Sequence, residues 1–320
     1  MQQLPVLPLG KSAIDRNAVS RNNPNLIADL LASPSTRILV LRGDEVRIHE
    51  ASPGLQLFLD APANLSQLLG VTPAQALYLG QTTAVSIDFD GSSLQPGTSV
   101  VAIALESSDA HAPAGEWHSM RRVNGALTDL DAGMFSQALA LANWHRANTF
   151  CPACGAQNHL ADAGWSRRCD ACNKQAFPRT DPAVIVAVLD ENERILLGSQ
   201  GAWEANRWSI LAGFVEAGES LNSAVEREVL EEAGIAISEI EFAGSQPWPF
   251  PYSLMFGFFA KASSTQPLTP DGDEIVRLRW FSRTELLAER ADLQLPGKLS
   301  IARALIEAWL GQPLDREAER

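Results

Sequence analysis

The sequence predicts an α+β protein in which a mixed sheet lies between helices, preceded by a cysteine-containing segment and an N-terminal α+β region. After residue 181, strand-like and helical segments follow one another in irregular order, which favours a mixed sheet covered by helices. Two cysteine pairs lie between residues 151 and 172. The region before them contains short strand-like runs separated by glycine-containing turns, namely Ile38–Leu41, Val85–Phe89 and Val100–Leu105.

Length and composition fit three domains, which we place at residues 1–144, 145–180 and 181–320. A chain of 320 residues with 46% hydrophobic content can form two or three globular cores. A helix is predicted over Met134–His145, where Ala and Leu recur at helical spacing, and it leads into the second domain. The chain has no run of about 18 apolar residues, and its N-terminus lacks the plan of a signal peptide. We therefore expect a cytoplasmic protein without a membrane partner.

The third domain begins with a strand that the sequence predicts to be fully buried, because every residue of Ala183–Leu189 is apolar. Further strands are predicted at Arg194–Leu197 and Trp208–Leu211, and the second of these leads through a glycine-containing loop into a helix. Beyond that helix we predict two strands and a C-terminal helix, over Tyr252–Lys261, Val276–Phe281 and Leu299–Trp309.

The four cysteines indicate a structural zinc site. Cys151 and Cys154 form one C-x₂-C pair, Cys169 and Cys172 form another, and 14 residues separate the pairs. This spacing is typical of a tetrahedral Cys₄ zinc ribbon, in which four thiolates close the coordination shell of one Zn²⁺. Disulfides are the alternative, but they are rare in a reducing compartment.

Two histidines lie near the cysteines and could be imagined as zinc ligands. His145 precedes the first pair, and His159 lies between the pairs. Four cysteines already complete the shell, so we expect both histidines to be packing or surface residues.

The segment Gly213–Ile235 contains the most informative pattern of the chain. Glu228, Glu231 and Glu232 recur at spacings that place all three carboxylates on one face of a helix. Arg227 alone cannot neutralise them, and hard divalent cations prefer oxygen ligands of this kind. The alternative is an amphipathic surface helix with its glutamates in water and an inward face formed by Leu221, Val225 and Val229.

This segment resembles the Nudix box at every defined position, from Gly213 and Glu219 to Gly234 and Ile235. The resemblance implies a Nudix fold, an α/β/α sandwich with a mixed sheet. It also implies hydrolysis of nucleoside diphosphates linked to another moiety, with two or more Mg²⁺ or Mn²⁺ ions held on the box helix.

A second motif lies ten residues beyond the box. The string Ser245–Ser253 reads SQPWPFPYS, in which three alternating prolines restrict the backbone to polyproline II and display Trp248 and Phe250 on a stiff loop. Rigid aromatic rings suit flat bases. The alternative is an edge loop whose aromatic side chains cover the core.

The string also resembles the signature of the NADH pyrophosphatase subfamily, whose order of zinc ribbon, box and signature this chain shares over about residues 145–310. The resemblance implies cleavage of NAD(H) into NMN(H) and AMP, removal of NAD caps from RNA 5′ ends, and a homodimer. It assigns substrate binding to the signature residues Gln246, Pro247, Trp248, Pro249, Phe250, Pro251, Tyr252 and Ser253.

Further positions carry over from the subfamily one at a time. Phe177, which stands where the subfamily usually has Tyr, and Phe214 are expected to stack on bases. Ala302 matches a substrate contact, Arg121 is expected to reach substrate phosphate, and the backbone carbonyl of Ala212 is expected to bind a metal.

The negative charges of a pyrophosphate substrate suggest a separate role for each glutamate. Metals must neutralise the phosphate oxygens and lower the pKa of a bound water before it can attack a pyrophosphate. We expect Glu228 and Glu232 to be direct ligands, whereas Glu231 either binds metal or takes the proton. Glu274 matches an acidic residue ahead of the last core strand and is the competing base or a further ligand.

Two rival functions remain at this stage. One is a Nudix hydrolase of another nucleotide, such as ADP-ribose or a damaged nucleotide, against which the SQPWPFP string argues. The other is a non-catalytic nucleotide-binding module, against which the intact glutamate helix argues. A net charge of −13 without a Lys/Arg-rich run argues against a protein that tracks along nucleic acid, but a small anionic nucleotide stays compatible with bound cations.

Overall fold

A computed structural model of the chain describes residues 4, 7, 9–10, 12–51, 54–65, 75–87, 93–123, 126–204 and 206–314. Within these residues, no helix is long and apolar enough to cross a membrane. The chain divides into two compact units. The first-unit residues are 11–180 and 248–252, and the second-unit residues are 1–10, 181–247 and 253–320.

The first unit is built on an eight-stranded sheet in the order β1-β6-β9-β2-β3-β10, with β4 paired to β3 and β5 to β2. A separate hairpin joins β7 and β8. The strands are β1 Ile14–Asp15, β2 Arg37–Arg42, β3 Glu45–Ala51, β4 Gly54–Leu57, β5 Leu59–Asp60, β6 Ala76–Thr82, β7 Ser86–Ile87, β8 Ser93–Leu94, β9 Ser99–Leu105 and β10 Trp117–Ser119.

The predicted N-terminal strands Ile38–Leu41 and Val100–Leu105 are confirmed as the cores of β2 and β9, which pair in parallel. Of the predicted run Val85–Phe89, the structure has Ser86–Ile87 in β7, and the last two residues lie outside the described part of the chain.

Among the described residues of this unit, the structure has three α-helices: α1 Leu26–Ala32, α2 Met120–Val123 and α3 Asp129–Ala147. Helix α3 contains the predicted helix Met134–His145 but begins earlier, because the Thr128 side chain caps it by accepting a hydrogen bond from the Asp131 amide. Its side chains are buried along most of its length.

The cysteine segment forms a three-stranded sheet of β11 Asn158–Ala161, β12 Ser166–Cys169 and β13 Gln175–Ala176. The two strands β11 and β12 pair antiparallel, with Asn158 opposite Cys169. The sheet positions the cysteine turns at one end of the ribbon.

The second unit has a six-stranded mixed sheet in the order β17-β18-β14-β15-β19, with β16 paired to β14. Strands β14 and β18 run parallel over nine residue pairs, whereas β15 pairs antiparallel with β19. The elements are β14 Asp181–Leu189, β15 Ile195–Gln200, β16 Leu211–Phe214, α4 Leu221–Ala233, β17 Ser238–Trp248, β18 Ser253–Lys261, β19 Ile275–Phe281, α5 Arg283–Glu289 and α6 Ile301–Leu310.

Helices cover both faces of this sheet, as the predicted α/β/α sandwich requires. Alternate residues of β14 point to opposite sides. Val184, Val186 and Val188 pack in one core cluster with α4 residues such as Val225 and Val229. Ile185, Ala187 and Leu189 pack in the other cluster with α6 residues such as Leu305 and Trp309.

Two predictions about local structure were wrong. The strand predicted at Trp208–Leu211 begins only at Leu211, because Trp208 and Ser209 make isolated hydrogen bonds to Gln294 and Gly198. Strand β17 extends through Trp248, so the first half of the proline string is not a polyproline II loop. Strand β17 lies at the edge of its sheet, where a proline such as Pro247 is tolerated.

Candidate active site

Helix α4 presents the box glutamates on a face adjacent to its buried stripe. Its first turn is capped by Ser220, whose hydroxyl accepts a hydrogen bond from the Ser223 amide. It ends at Gly234, which has the left-handed conformation (φ 70°) that favours glycine. The apolar face of the helix lies in the core against β14, so the helix cannot rotate to withdraw its glutamates.

Arg227 joins three of the acidic side chains into one network. Its guanidinium makes a bidentate pair with Glu219, with Nε and Nη2 at 2.8 and 2.9 Å from the two carboxylate oxygens. Its Nη1 donates to Glu228 Oε1 and Glu231 Oε2, both at 2.9 Å, and Nη2 also donates to the Phe214 carbonyl. The hydrogen bonds from Arg227 to Glu219, followed by that from the Glu216 backbone amide, lower the pKa of Glu219 to about 2. Arg227 therefore orients the carboxylates of Glu219, Glu228 and Glu231.

Gly213 allows the Glu228 carboxylate to approach the backbone closely. A Cβ atom at position 213 would lie 2.0 Å from Cδ of the Glu228 side chain, so the carboxylate would have to leave its present position. The first glycine of the box thus leaves the space that the carboxylate occupies. Burial, followed by the neighbouring charges of Glu231 and Glu274, raises the pKa of Glu228 against the opposing effect of Arg227.

Glu232 is the most buried of the glutamates, with only 3% of its surface exposed. Its Oε2 atom is buried and makes no hydrogen bond, whereas the Ala212 backbone amide bonds to the carboxyl group. Burial, and then the charges of Glu228, Glu274 and Asp271, raise its pKa to about 8. An unpartnered oxygen in an electronegative pocket fits a cation ligand, because a bound cation would offset both the burial and the repulsion.

Glu274 lies on a loop that Asp271 shapes. The Asp271 Oδ1 atom accepts hydrogen bonds from the backbone amides of Asp273, Glu274 and Ile275 at 2.8 to 3.0 Å. Gln200 Nε2 donates to Glu274 Oε1 at 3.3 Å. This loop brings the Glu274 charge close enough to influence both Glu228 and Glu232.

The string after the box divides between two environments. Gln246 is fully buried, where its side chain donates to the Leu299 carbonyl at 2.8 Å and accepts from the Ile301 amide at 2.7 Å. It thereby fixes the start of helix α6, and Ser253 is also buried. Pro247 is exposed. The side-chain hydrogen bonds of Gln246 thus go to the protein backbone. Substrate contacts of Gln246 and Ser253 stay predictions.

Residues Trp248–Tyr252, which we call the aromatic turn, belong to the first unit. The rings of Trp248 and Phe250 meet edge to face with centroids 4.9 Å apart. The Arg121 guanidinium lies 4.5 Å from the Phe250 ring centroid and 5.9 Å from that of Trp248. Tyr252 accepts a hydrogen bond from Arg179 at 3.2 Å.

The structure brings together Arg121 and the aromatic rings, although the sequence predicts Arg121 to reach phosphate. Pro249 is buried and Pro251 is exposed. Both of their carbonyls accept hydrogen bonds from the side chain of Asn143, at 3.0 and 2.9 Å.

The remaining predicted substrate residues differ in accessibility. Phe177 and Phe214 are 63% and 60% exposed, which suits rings that stack on a ligand. Ala302 is 3% exposed and packs within the core cluster of α6, and its amide hydrogen bonds to Ser300. Its methyl group is therefore a core contact in this structure, and a substrate contact at Ala302 stays a prediction.

The four cysteine sulfurs lie within 4.8 Å of one another, and three Sγ–Sγ distances between them are 3.5 to 3.7 Å. A Zn²⁺ ion at about 2.3 Å from each sulfur requires sulfur separations of roughly 3.8 Å, whereas a disulfide would need about 2 Å. The cysteines are free thiols, and the group fits zinc. Among the described residues, no other group of three or more His, Cys, Asp or Glu side chains is gathered so closely.

The two C-x₂-C pairs form equivalent turns. The Cys151 carbonyl accepts from the Gly155 amide, and the Cys169 carbonyl accepts from the Asn173 amide. Gly155 and Asn173 both have positive φ, 74° and 57°, as the tight turn requires. Backbone amides, first that of Cys172, lower the pKa of Cys169 to about 6, which favours the thiolate that metal binding needs.

Neither nearby histidine belongs to the cysteine group. His145 is buried, with Nε2 at 2.8 Å from the Gly164 carbonyl and Nδ1 at 3.2 Å from Arg167, and burial lowers its pKa to about 4. His159 pairs with Asp170 on the surface. Both lie where the sequence predicts, in packing and surface roles.

Three residues of these sites were not predicted from the sequence: Gln200, Asp271 and Asn143. The sequence could have indicated the role of Asp271, because its spacing to Asp273 and Glu274 in the string DGDE is typical of an Asx turn. Gln200 and Asn143 contact residues 74 or more positions away, and no local pattern indicates such contacts.

The sandwich and the glutamate helix together define a hydrolase of the Nudix class, and the NUDIX domain profile matches residues 179–302. Two further profiles match the preceding segments: the NADH pyrophosphatase zinc ribbon domain over residues 146–176, and the NADH pyrophosphatase-like rudimentary NUDIX domain over residues 35–144. The chain belongs to the NADH pyrophosphatase family of Nudix hydrolases, with a zinc ribbon of four cysteines and a need for divalent metal.

Relatives with assigned names share most of the chain. The NAD-capped RNA hydrolase NudC of Mycobacterium bovis (strain BCG / Pasteur 1173P2) is 38% identical over 256 residues, which are 76% of this chain and 78% of that protein. The NAD-capped RNA hydrolase NUDT12 of Macaca fascicularis is 35% identical over 198 residues, 58% of this chain and 43% of that protein. A NUDIX hydrolase structure from Nitrosomonas europaea is 27% identical, with a TM-score of 0.40 over 52% of this chain and 94% of that chain.

Proposed function

We propose that this enzyme hydrolyses the pyrophosphate bond of NAD(H) to NMN(H) and AMP, and that it removes NAD caps from RNA 5′ ends by cleaving the same bond. The observation that carries the proposal is the presence in one chain of an intact glutamate helix, with a buried and unpartnered Glu232 oxygen, and of an aromatic turn whose paired rings are partly exposed. The names of the relatives, NAD-capped RNA hydrolases, support the substrate class.

The divalent metal of the proposal is Mg²⁺ or Mn²⁺, in two or more sites, held by Glu228, Glu232 and the Ala212 carbonyl. When bound, such ions neutralise phosphate oxygens and lower the pKa of a bound water. Glu231 is either a further ligand or the proton acceptor, and its exposed side chain leaves it accessible for both roles. Glu274 is the competing base or a further ligand. One Zn²⁺ in the ribbon is structural, since four thiolates leave no open position.

Substrate binding is assigned to the exposed rings and the aromatic turn. Phe177 and Phe214 offer stacking faces, and Arg121 offers a cation beside the rings of the turn. The assignment also includes Ala302 and the rest of the signature, namely Gln246, Pro247, Trp248, Pro249, Phe250, Pro251, Tyr252 and Ser253.

We also propose a homodimer in the cytoplasm, with domains at residues 1–144, 145–180 and 181–320. Gel filtration with light scattering, cell fractionation and limited proteolysis test these three statements separately.

The second candidate is a Nudix hydrolase of ADP-ribose or a damaged nucleotide, and the third is a non-catalytic nucleotide-binding module. Turnover of NADH, NAD⁺, ADP-ribose and NAD-capped RNA, compared side by side with Mg²⁺ and with Mn²⁺, separates them. Cleavage of ADP-ribose in preference to NADH would favour the second candidate. Binding of NADH without any cleavage would favour the third.

The role of the glutamates is tested by Glu232→Gln, which keeps the shape of the side chain and removes a charged oxygen. We expect turnover to fall by about a hundredfold or more, since each tenfold corresponds to about 1.4 kcal/mol of transition-state stabilisation. The matched control is Glu226→Gln, the same change at an exposed position of the same helix. A near-wild-type rate of Glu232→Gln at saturating Mn²⁺ would show that Glu232 is not a ligand.

A further inference from the structure

The aromatic turn is poor in the hydrogen-bond donors that normally stabilise a turn. Pro249 and Pro251 have no backbone N–H, although each keeps a carbonyl acceptor. The turn contains one backbone hydrogen bond of its own, from the Phe250 amide to the Trp248 carbonyl at 2.8 Å. A turn of this composition needs donors from elsewhere to hold one conformation.

Asn143 of helix α3 supplies those donors. Its side-chain Nδ2 donates to the Pro249 carbonyl at 3.0 Å and to the Pro251 carbonyl at 2.9 Å. These contacts span 106 and 108 positions of the sequence. One amide group thus bridges the two carbonyls on either side of Phe250.

The orientation of the Asn143 amide is itself fixed. Arg146, one turn further along α3, donates from Nη2 to Asn143 Oδ1. Its Nη1 donates to the carbonyl of Gly43 at 2.9 Å, in the turn between β2 and β3. Because Oδ1 faces a guanidinium, the Nδ2 donors must face the proline carbonyls.

A second element of the same unit contacts the rings that this amide positions. Arg121 of helix α2 lies over Phe250 and, at a greater distance, over Trp248. The aromatic turn is therefore supported from one side by the backbone contacts of Asn143 and covered by the cation of Arg121.

We propose that the N-terminal α+β region supports the substrate-selecting turn, and that Asn143, oriented by Arg146, is its positioning residue for dinucleotide selection. The inference rests on the proposed function, because it assumes that Trp248 and Phe250 contact the base beyond the pyrophosphate. Asn143 acts through the turn and does not touch the reacting atoms. Its loss therefore changes substrate selection and leaves the hydrolytic chemistry intact.

The decisive variant is Asn143→Asp, which keeps the size of the side chain and replaces the two donors by an acceptor facing two carbonyls. We expect KM for NADH to rise by about tenfold, with kcat changed less than about twofold. ADP-ribose, which lacks the second base, is expected to be cleaved with less than about a twofold change. Asn143→Ala and Arg146→Lys should shift KM in the same direction by smaller factors.

The matched control is Asn148→Ala. This residue lies at the end of the same helix and also loses one side-chain bond to a backbone carbonyl, that of Trp144, without contacting the turn. We expect its KM for both substrates to match the wild type. Zinc content and thermal melting of every variant establish folding.

Hydrogen exchange gives a readout that does not depend on turnover. The amides of Trp248, Phe250 and Tyr252 should exchange faster in Asn143→Ala than in the wild type or in Asn148→Ala. Equal losses on NADH and ADP-ribose, or unchanged KM together with unchanged exchange, would overturn the proposal. If the wild type cleaves ADP-ribose but not NADH, the proposed function fails, and the exchange result still decides whether Asn143 holds the turn.

Discussion

In metal-free protein, the variant Glu232→Gln is expected to be more stable than the wild type at pH 8.5, although it is expected to be inactive. The Glu232 carboxyl is almost fully buried, and burial together with Glu228, Glu274 and Asp271 raises its pKa to about 8 from an ordinary 4.5. Folding therefore favours the protonated form. Glutamine resembles that form and never has to ionise.

The direction of the pH dependence follows from the pKa of Glu232, which is 4.5 in the unfolded state and about 8 in the folded state. Below pH 4.5 the carboxyl is protonated in the folded and unfolded states, so ionisation costs nothing. Between pH 4.5 and 8 the unfolded state releases the proton first, and the free energy of unfolding falls as the pH rises. Above pH 8 the carboxyl is ionised in both states, and the free energy of unfolding falls no further on account of Glu232. This pKa shift corresponds to a loss of at most about 5 kcal/mol in the free energy of unfolding. Structural relaxation and the coupled titration of Glu228 reduce the loss, so we expect Glu232→Gln to be about 2–4 kcal/mol more stable than the wild type.

The assay is hydrogen exchange of the α4 amides at pH 5 and pH 8.5, after dialysis that removes Mg²⁺ and Mn²⁺ but leaves the ribbon zinc, which a chelator would strip. Zinc content is measured in each sample. The control is Glu226→Gln, whose pH dependence should follow the wild type. Adding Mg²⁺ at pH 8.5 should reverse the order, because the wild type gains a ligand that the variant lacks. Parallel pH dependence of wild type and Glu232→Gln would refute the reasoning.

Three other outcomes follow from the geometry of the sites. Cys169→Ser should release zinc and lower the melting temperature before it affects the rate per folded molecule, and wild-type protein without zinc would contradict this. Trp248→Ala and Phe250→Ala should lower kcat/KM for NADH by about fivefold to a hundredfold and that for ADP-ribose far less, and equal losses would mean that the rings only support the fold. Gly213→Ala should displace the Glu228 carboxylate, because the new Cβ would lie 2.0 Å from it, and activity close to wild type would show that the strand moves instead.

Most of the fold could be predicted from sequence patterns that extend over only a few residues. The apolar run Ala183–Leu189 and the two cysteine pairs have signatures within a few residues, and both formed where expected. The strand β17 was missed because its sequence, from Ser238 onward, is largely exposed and lacks a clear alternation. Proline in the string Ser245–Ser253 favoured a loop, yet an edge position let the strand continue through Pro247.

The burial and contacts of the candidate site residues could not be predicted from the sequence. Helical spacing identifies the glutamates, but it gives no information on their burial, and only the packing of α4 makes Glu232 the most buried of them. Gln246 was expected at the substrate, whereas its buried amide bonds helix α6. Asn143 was not expected at all, since its contacts depend on how α3 meets a turn over 100 positions away.

The hydrogen bonds of Arg227 also limit which residues can replace it at position 227. All five N–H groups of its guanidinium have acceptors, supplied by Glu219, Glu228, Glu231 and the Phe214 carbonyl. A lysine has only three donors on one tetrahedral nitrogen and cannot reach this planar set of acceptors together. Position 227 thus has no conservative substitute, and a library that varies the box helix should recover arginine alone at this position among its active members.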